Sequence, residues 1–457
     1  MTEKEFAQSL RRGLGGAIVV LKHNRNNAQY RGAVLRCCLR DISYDWQAEG
    51  TKGRYLYSAI CALNEKEYFE RVIIEKFLSR CGDRLSFQLA DVLFCYAEND
   101  SEPAKDAFRA KYRYFADKNG RLSRTHRLEE GFQWYDVACR LFDIDGFTAF
   151  KRYTTDMGEL LHRDPNKSNR YYYDFFISHA EDRFGKKRVN DYLDKMYGRS
   201  DAIKALIDTL KAEELSSESY LAEAALKRVS VEELMQRANG LLASENPQYG
   251  IVGICHSFSM HASEADFLSL AQAVLREENE TVKALLLKGF WRKPFPLGIT
   301  PLLEYARSEN EMLSENAMTC LEEFKDKRIH DLAVHLLNTK GLNSSALSLL
   351  KKNYRKADDK LIQTLVMKSS GVTHDVQSDI RDIYTCHCSA DALPVLLRVY
   401  RKGDCTYCRY GVVKAMRNCG ILPDDILEEC LYDSYEDTRK LAKRLAVRKK
   451  PTGDKPA

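Results

Sequence analysis

Residues 389–420 read SADALPVLLRVYRKGDCTYCRYGVVKAMRNCG, and they hold two helices and the turn between them. The first segment opens Asp391-Ala392-Leu393-Pro394, with proline in the first turn, where its missing N–H and fixed φ do no harm. Lys402-Gly403-Asp404 is a short polar turn. The second segment is led by basic residues, runs from Arg409 to Met416 and stops at Gly420. Val412 and Met416 stand four apart, and so share one helix face.

The same four-apart apolar pair recurs on both sides of this unit. It reads Ala222/Leu226, Ile254/Phe258, Leu286/Phe290, Cys320/Phe324, Leu350/Tyr354, Ile380/Tyr384, Val412/Met416 and Leu441/Leu445, at intervals of 32, 32, 34, 30, 30, 32 and 29 residues. Between the pairs lie second amphipathic segments: Val231 to Leu242, Asp266 to Leu275, Ile299 to Ala306, Ile329 to Leu337, Lys360 to Met367, Ala392 to Val399 and Asp425 to Cys430. A helix pair of this size cannot bury its apolar face alone and must stack on its neighbours. The pattern resembles HEAT repeats over about residues 200–447. That resemblance implies an all-α protein, an α-solenoid of antiparallel helix pairs forming a curved superhelix. It is a likeness of fold, since such arrays serve many roles.

Before residue 200 the spacing is less regular. Ala28 to Arg40, Tyr55 to Leu63, Glu67 to Leu78, Phe87 to Ala97 and Ala104 to Phe115 have helical period. The expected organisation is an N-terminal helical region over 1–118, an aromatic-rich helical section over 119–199, the repeat array over 200–447, and a disordered basic tail over 448–457. Tyr173 to Asp182 (YDFFISHAED) looks like the opening strand motif of TIR domains, but no later strands follow, and an aromatic helix is expected. Leu10 to Gly16 (LRRGLGG) lacks the Lys-Ser/Thr of a phosphate-binding loop and reads as a flexible start to the first helix.

Composition narrows the class. The chain has 457 residues, 44% apolar and 30% charged, with only 10 Pro and 24 Gly, as expected of helices joined by short turns. A formal charge of +5, from 71 basic and 66 acidic side chains, does not by itself argue for nucleic acid. The polar stretch Met1–Arg12 does not read as a secretory leader, so none is expected, and no run approaches the ~20 apolar residues of a membrane span. With 14 Cys placed largely at helix-core positions, a reducing, cytoplasmic setting is expected.

Cys386, Cys388, Cys405 and Cys408 form C-x-C…C-x-x-C with His387 inside, on paper a zinc pattern. A helix between the two pairs separates them by about 20 Å, whereas one zinc needs its sulfurs within about 4 Å. No metal and no cofactor is therefore assigned. His126, Glu129, Glu130, His162 and His179 are available in the aromatic section, but nothing in the sequence fixes their geometry, so no catalytic residue is named.

Binding residues are expected in two settings. The connector around Trp46, Arg54 and Tyr55 mixes aromatics and charges, as recognition surfaces often do. The second helices of the repeats carry Trp291, Arg292 and Lys293, then Lys351, Lys352 and Arg355, then Arg409, Lys414 and Arg417. These point to a non-enzymatic scaffold holding a protein or peptide partner in a concave groove. The alternative is a nucleic-acid-binding protein related in fold to HEAT-type DNA glycosylases. Glu322, Glu323, Asp379 and Asp382 interrupt any positive stripe.

Overall fold

The computed structural model describes residues 1–24, 26–80, 83–120, 128–163, 170–211 and 229–449. Every regular element among the described residues is helical, with no strand. The chain packs into two units, one of Met1–Leu221 with Asp424–Ala457 and one of Ala222–Pro423.

In the second unit the helices start where the side chains can satisfy their first N–H groups. Ser230 and Ser263 make capping boxes with Glu233 and Asp266, and Asn279, Asn310 and Asn343 accept from N–H groups one turn on. The unit at 389–420 is a short 3-10 turn at Ala390–Ala392, a helix Leu393–Lys402 with Pro394 in its first turn, and a helix Thr406–Asn418 followed by Gly420 in the left-handed region (φ 70°). Most members of the marker pairs point inward: Leu286, Phe290, Cys320, Leu350, Ile380, Tyr384, Val412, Met416 and Leu441 are buried, while Phe324, Tyr354 and Leu445 are half-buried. At the pair 254/258 the register differs by one residue. Ile251, Cys255 and Phe258 make the core face, and Ile254 is only half-buried. The pair Ala222/Leu226 lies outside the described residues.

Helices carrying marker pairs pack against one another in order. Glu280–Leu287 meets Glu311–Leu321, which meets Ser344–Asn353, then His374–Cys386, then Thr406–Asn418. On the other layer Asp358–Lys368 packs against Leu393–Lys402. A buried acid pair ties three of these segments. Asp359 accepts from the hydroxyls of Tyr354 (2.7 Å), Tyr384 (2.9 Å) and Ser389 (2.5 Å), while Asp358 faces His330 Nε2 at 3.0 Å.

In the first unit the expected helices are present, from Arg31–Cys38 through Gly53–Leu63, Lys66–Ser79 and Arg84–Glu98 to Glu102–Gly120. The aromatic section forms helices Leu128–Asp145, Phe147–Arg163, Arg170–Phe184 and Lys186–Tyr197, so the YDFFISHAED stretch is helical. Its rings are core. Phe150 stacks on Phe176 with centroids 5.6 Å apart, Tyr153 lies 4.2 Å from Phe176, and Phe142, Phe147 and Phe184 close the cluster. His126 and the side chains of Glu129 and Glu130 lie outside the described residues; His162 is exposed, and His179 is exposed and stacked on Phe142.

LRRGLGG is not a flexible leader. Helix Glu3–Arg12 ends at Gly13 with φ 73°, and helix Gly15–His23 begins two residues later. The glycines are there because another backbone comes close. A Cβ on Gly15 would stand 1.8 Å from the Glu429 carbonyl oxygen, and Ser434 N–H donates to Gly13 O at 2.9 Å. Helix Gly15–His23 thus packs on Asp424–Cys430, which in turn packs on Glu436–Lys449. Residues 450–457 of the expected basic tail lie outside the described residues.

Candidate functional site

Three consecutive marker helices of the second unit, Pro247–His261, Glu280–Leu287 and Glu311–Leu321, leave a cavity of about 370 Å³ between them. It is lined by Val252, Cys255 and His256 from the first, Leu287, Lys288, Phe290 and Trp291 from the second, and Asn316, Thr319 and Cys320 from the third. Such a volume falls within the ~300–1,000 Å³ of ordinary ligand pockets.

The local backbone explains why the pocket opens here. The middle helix tightens into a 3-10 turn over Lys288–Phe290. A Cβ on Gly289 would come within 2.7 Å of the Leu270 Cδ2 methyl, so glycine lets the turn sit here without moving that side chain. Phe290 is pinned against Phe295 with ring centroids 4.9 Å apart, while Arg292 adopts φ 55°. The reversal leaves Trp291 on the rim, 43% exposed, with His256 5.1 Å from one side and the Arg292 guanidinium 4.6 Å from its ring.

The floor is apolar and sulfur-rich. Cys255 Sγ and Cys320 Sγ point at the Leu285 and Leu287 carbonyls, at 3.9 and 3.5 Å. Burial pushes both thiols up from 9.0 to about 12, so at neutral pH they are protonated donors. Asn316 likewise donates its amide to Ala284 O at 2.8 Å. These groups brace the middle helix.

Beside the pocket, Tyr249, Val252, His256 and Met260 are exposed on Pro247–His261. Their spacings of three and four put them on one solvent-facing stripe, apolar at Tyr249, Val252 and Met260 and interrupted by His256. Tyr249 is 82% exposed and Met260 63%, high values for side chains of this size.

The other residues named from the sequence are distributed differently. Lys351 is bonded to Asp379 (2.8 Å) and Lys352 to Glu323 (2.8 Å), so acids from neighbouring helices neutralise this cluster. Arg409 is fully buried and therefore not part of any surface stripe; Arg355, Lys414 and Arg417 are exposed. In the connector, Tyr55 is a core residue, donating its hydroxyl to Leu14 O at 2.8 Å, and Trp46 packs on Phe87. Arg54 is exposed and makes a two-point pair with Glu98 at 2.9 and 3.0 Å. It borders a polar cavity of about 290 Å³ with Thr51, Asp91, Glu436 and Arg439. Burial is the leading cause that lowers the pKa of Arg439, whose guanidinium donates to the carbonyls of Asp433 and Ser434 at 2.7 Å each. Arg140 braces the same wall through Asp91 (2.6 Å) and Asp136 (3.0 Å).

Of the binding residues named above from the sequence, Trp291 lines the apolar pocket, with Arg292 stacked on it and Lys293 exposed beside it; the marker residues Phe290 and Cys320 and the neighbouring Lys288 line it as well. Sequence reasoning missed Tyr249, Val252 and Met260, although their helical spacing was legible as a second apolar face on a helix that already had one.

Compared with known proteins, the chain matches no family model and no curated protein sequence. No helix among the described residues is long and apolar enough to cross a membrane.

Proposed function

We propose that this protein is a non-enzymatic interaction scaffold, a HEAT-like curved solenoid that captures a helix or peptide of a partner protein. The partner inserts an apolar side chain into the pocket beside Trp291 and lays an apolar face along Tyr249, Val252 and Met260. Its flanking residues are acidic, complementary to Lys288, Arg292 and Lys293. The observation that carries this reading is the apolar pocket itself, rimmed by an exposed tryptophan and continuous with an apolar stripe. The solenoid reading is supported by the order in which the marker helices pack. The buried thiols suit a reducing, cytoplasmic setting.

Affinity capture from the source cells, with wild-type and Trp291→Ala baits compared by mass spectrometry, tests it. A protein held by the first and lost by the second is the expected result. The nucleic-acid alternative is weakened by the pairing of Lys351 and Lys352 and the burial of Arg409. Recovery of nucleic acid by both baits, with steep loss in salt, would overturn the scaffold reading.

A further inference from the structure

We infer that His374, Cys405 and Cys408 form a site for a thiophilic divalent cation, zinc being the ion their chemistry fits. The zinc pattern in the sequence paired the wrong residues. Cys388 lies beside Cys419, at the end of helix Thr406–Asn418, whereas Cys405 caps its start. Fourteen residues of helix put about 21 Å between those ends. The partner of Cys405 and Cys408 comes instead from the start of the neighbouring helix, His374–Cys386.

The three donor atoms lie within 4.8 Å of one another, and His374 Nδ1 is 3.8 Å from Cys408 Sγ. With bonds of about 2.3 Å to sulfur and 2.0–2.1 Å to nitrogen, the edges of a tetrahedral zinc site are about 3.5–3.8 Å. The donors are therefore close to the spacing the ion requires.

The neighbouring Cys405 thiol and burial push the Cys408 thiol up in the metal-free protein, so the ion's own charge must draw off the protons, helped by two nearby groups. Cys408 N–H donates to Cys405 Sγ at 3.4 Å, and Arg381 Nη1 stands 3.7 Å from Cys408 Sγ. Cys405 is the N-cap of a helix and Cys408 lies in its first turn, where the backbone dipoles favour negative charge. Gln377 holds the Cys405 carbonyl at 3.2 Å, fixing the turn from the histidine's own helix. Both thiols are buried, while His374 is half-buried, so the ion enters from the histidine side and keeps its fourth position for water. Binding displaces two thiol protons, leaving two thiolates and a neutral imidazole around the dication, a site of net charge zero. Affinity therefore rises with pH. Bound metal would clip two adjacent helix starts together.

Cobalt(II) and zinc titrations of the reduced full-length protein test the inference. One ion per chain is expected, with thiolate-to-cobalt charge-transfer absorption that zinc abolishes. Cys405→Ser, Cys408→Ser and His374→Ala should each weaken binding by about a hundredfold or more, while Cys386→Ser/Cys388→Ser binds as wild type. His374→Ala keeps both buried sulfurs, so its helical circular dichroism should match wild type even if a cysteine variant misfolds. Absence of stoichiometric binding overturns the site. So does binding that survives His374→Ala, or a Cys405–Cys408 disulfide with no metal uptake, which would mark a redox pair instead.

Discussion

The two cavities are of similar size and opposite construction. The one at Arg54 is walled by groups that satisfy each other: Thr51 with Asp91, Asp91 with Arg140, Arg54 with Glu98. The one at Trp291 is walled by groups whose polar needs are met behind the surface, by Leu285, Leu287 and Ala284 carbonyls, leaving an apolar face to solvent. Paired charges in a half-buried wall hold a fold; apolar surface with no covering is what a partner removes from water. Two regions that look equally rich in aromatics and charges in sequence are therefore built differently.

If that contrast is sound, breaking the polar wall should cost stability and leave binding alone. The largest effect is expected from Asp91→Ala, which takes one of two carboxylates from the half-buried Arg140, leaving it Asp136, and removes the partner of Thr51. Urea denaturation should show a loss of about 3 kcal/mol, with partner affinity unchanged wherever the protein is still folded. Gly15→Ala forces a methyl into the Glu429 carbonyl and should cost about 2 kcal/mol in the same measurement. Trp291→Ala should do the reverse: stability within about 0.5 kcal/mol of wild type, but partner affinity down about thirtyfold by calorimetry, or roughly 2 kcal/mol. An outcome in which Trp291→Ala unfolds the protein would erase the distinction.

The floor thiols add a pH signature. Cys255 and Cys320 have folded pKa values raised from 9.0 to about 12, so their contribution to stability is full below about pH 9 and lost as pH rises towards 12. Replacing both with Ala should make that alkaline limb shallower, with Cys37, Cys95 and Cys139, raised in the same way, supplying what remains. The smallest effect is expected from Arg54→Gln, which breaks an exposed pair with Glu98 and should change stability by less than about 1 kcal/mol.

What the sequence made legible was whatever depends on residues one turn apart. The pair Ile380/Tyr384 announces a buried helix face, and Pro394 and Gly420 bracket a helix pair, because these signals are local. The pocket was not legible beyond Trp291. Val252, Leu287 and Cys320 are about a third of a hundred residues apart in turn, and their meeting depends on which helix packs beside which. Charge misled at Arg409, which looks like surface and is core, and aromaticity misled at Tyr55, which staples a loop to Leu14. His374 was passed over for the same reason as the pocket. It lies 34 residues from Cys408 and reaches it only because two helix starts are neighbours.

The seam at Gly13–Gly15 bears on how the chain is made. The segment that receives it, helix Asp424–Cys430 with Ser434 just beyond, is synthesised only after residues 222–423. At about 5–20 residues per second, ribosomes need on the order of ten to forty seconds for that intervening stretch. For that interval the nascent first unit waits with the glycine face of Gly15–His23 uncovered, and with it Ala17, Ile18 and Leu21 lack their final surroundings. A chaperone that holds amphipathic helices would have its window there, and a chain stopped before residue 424 would never leave it.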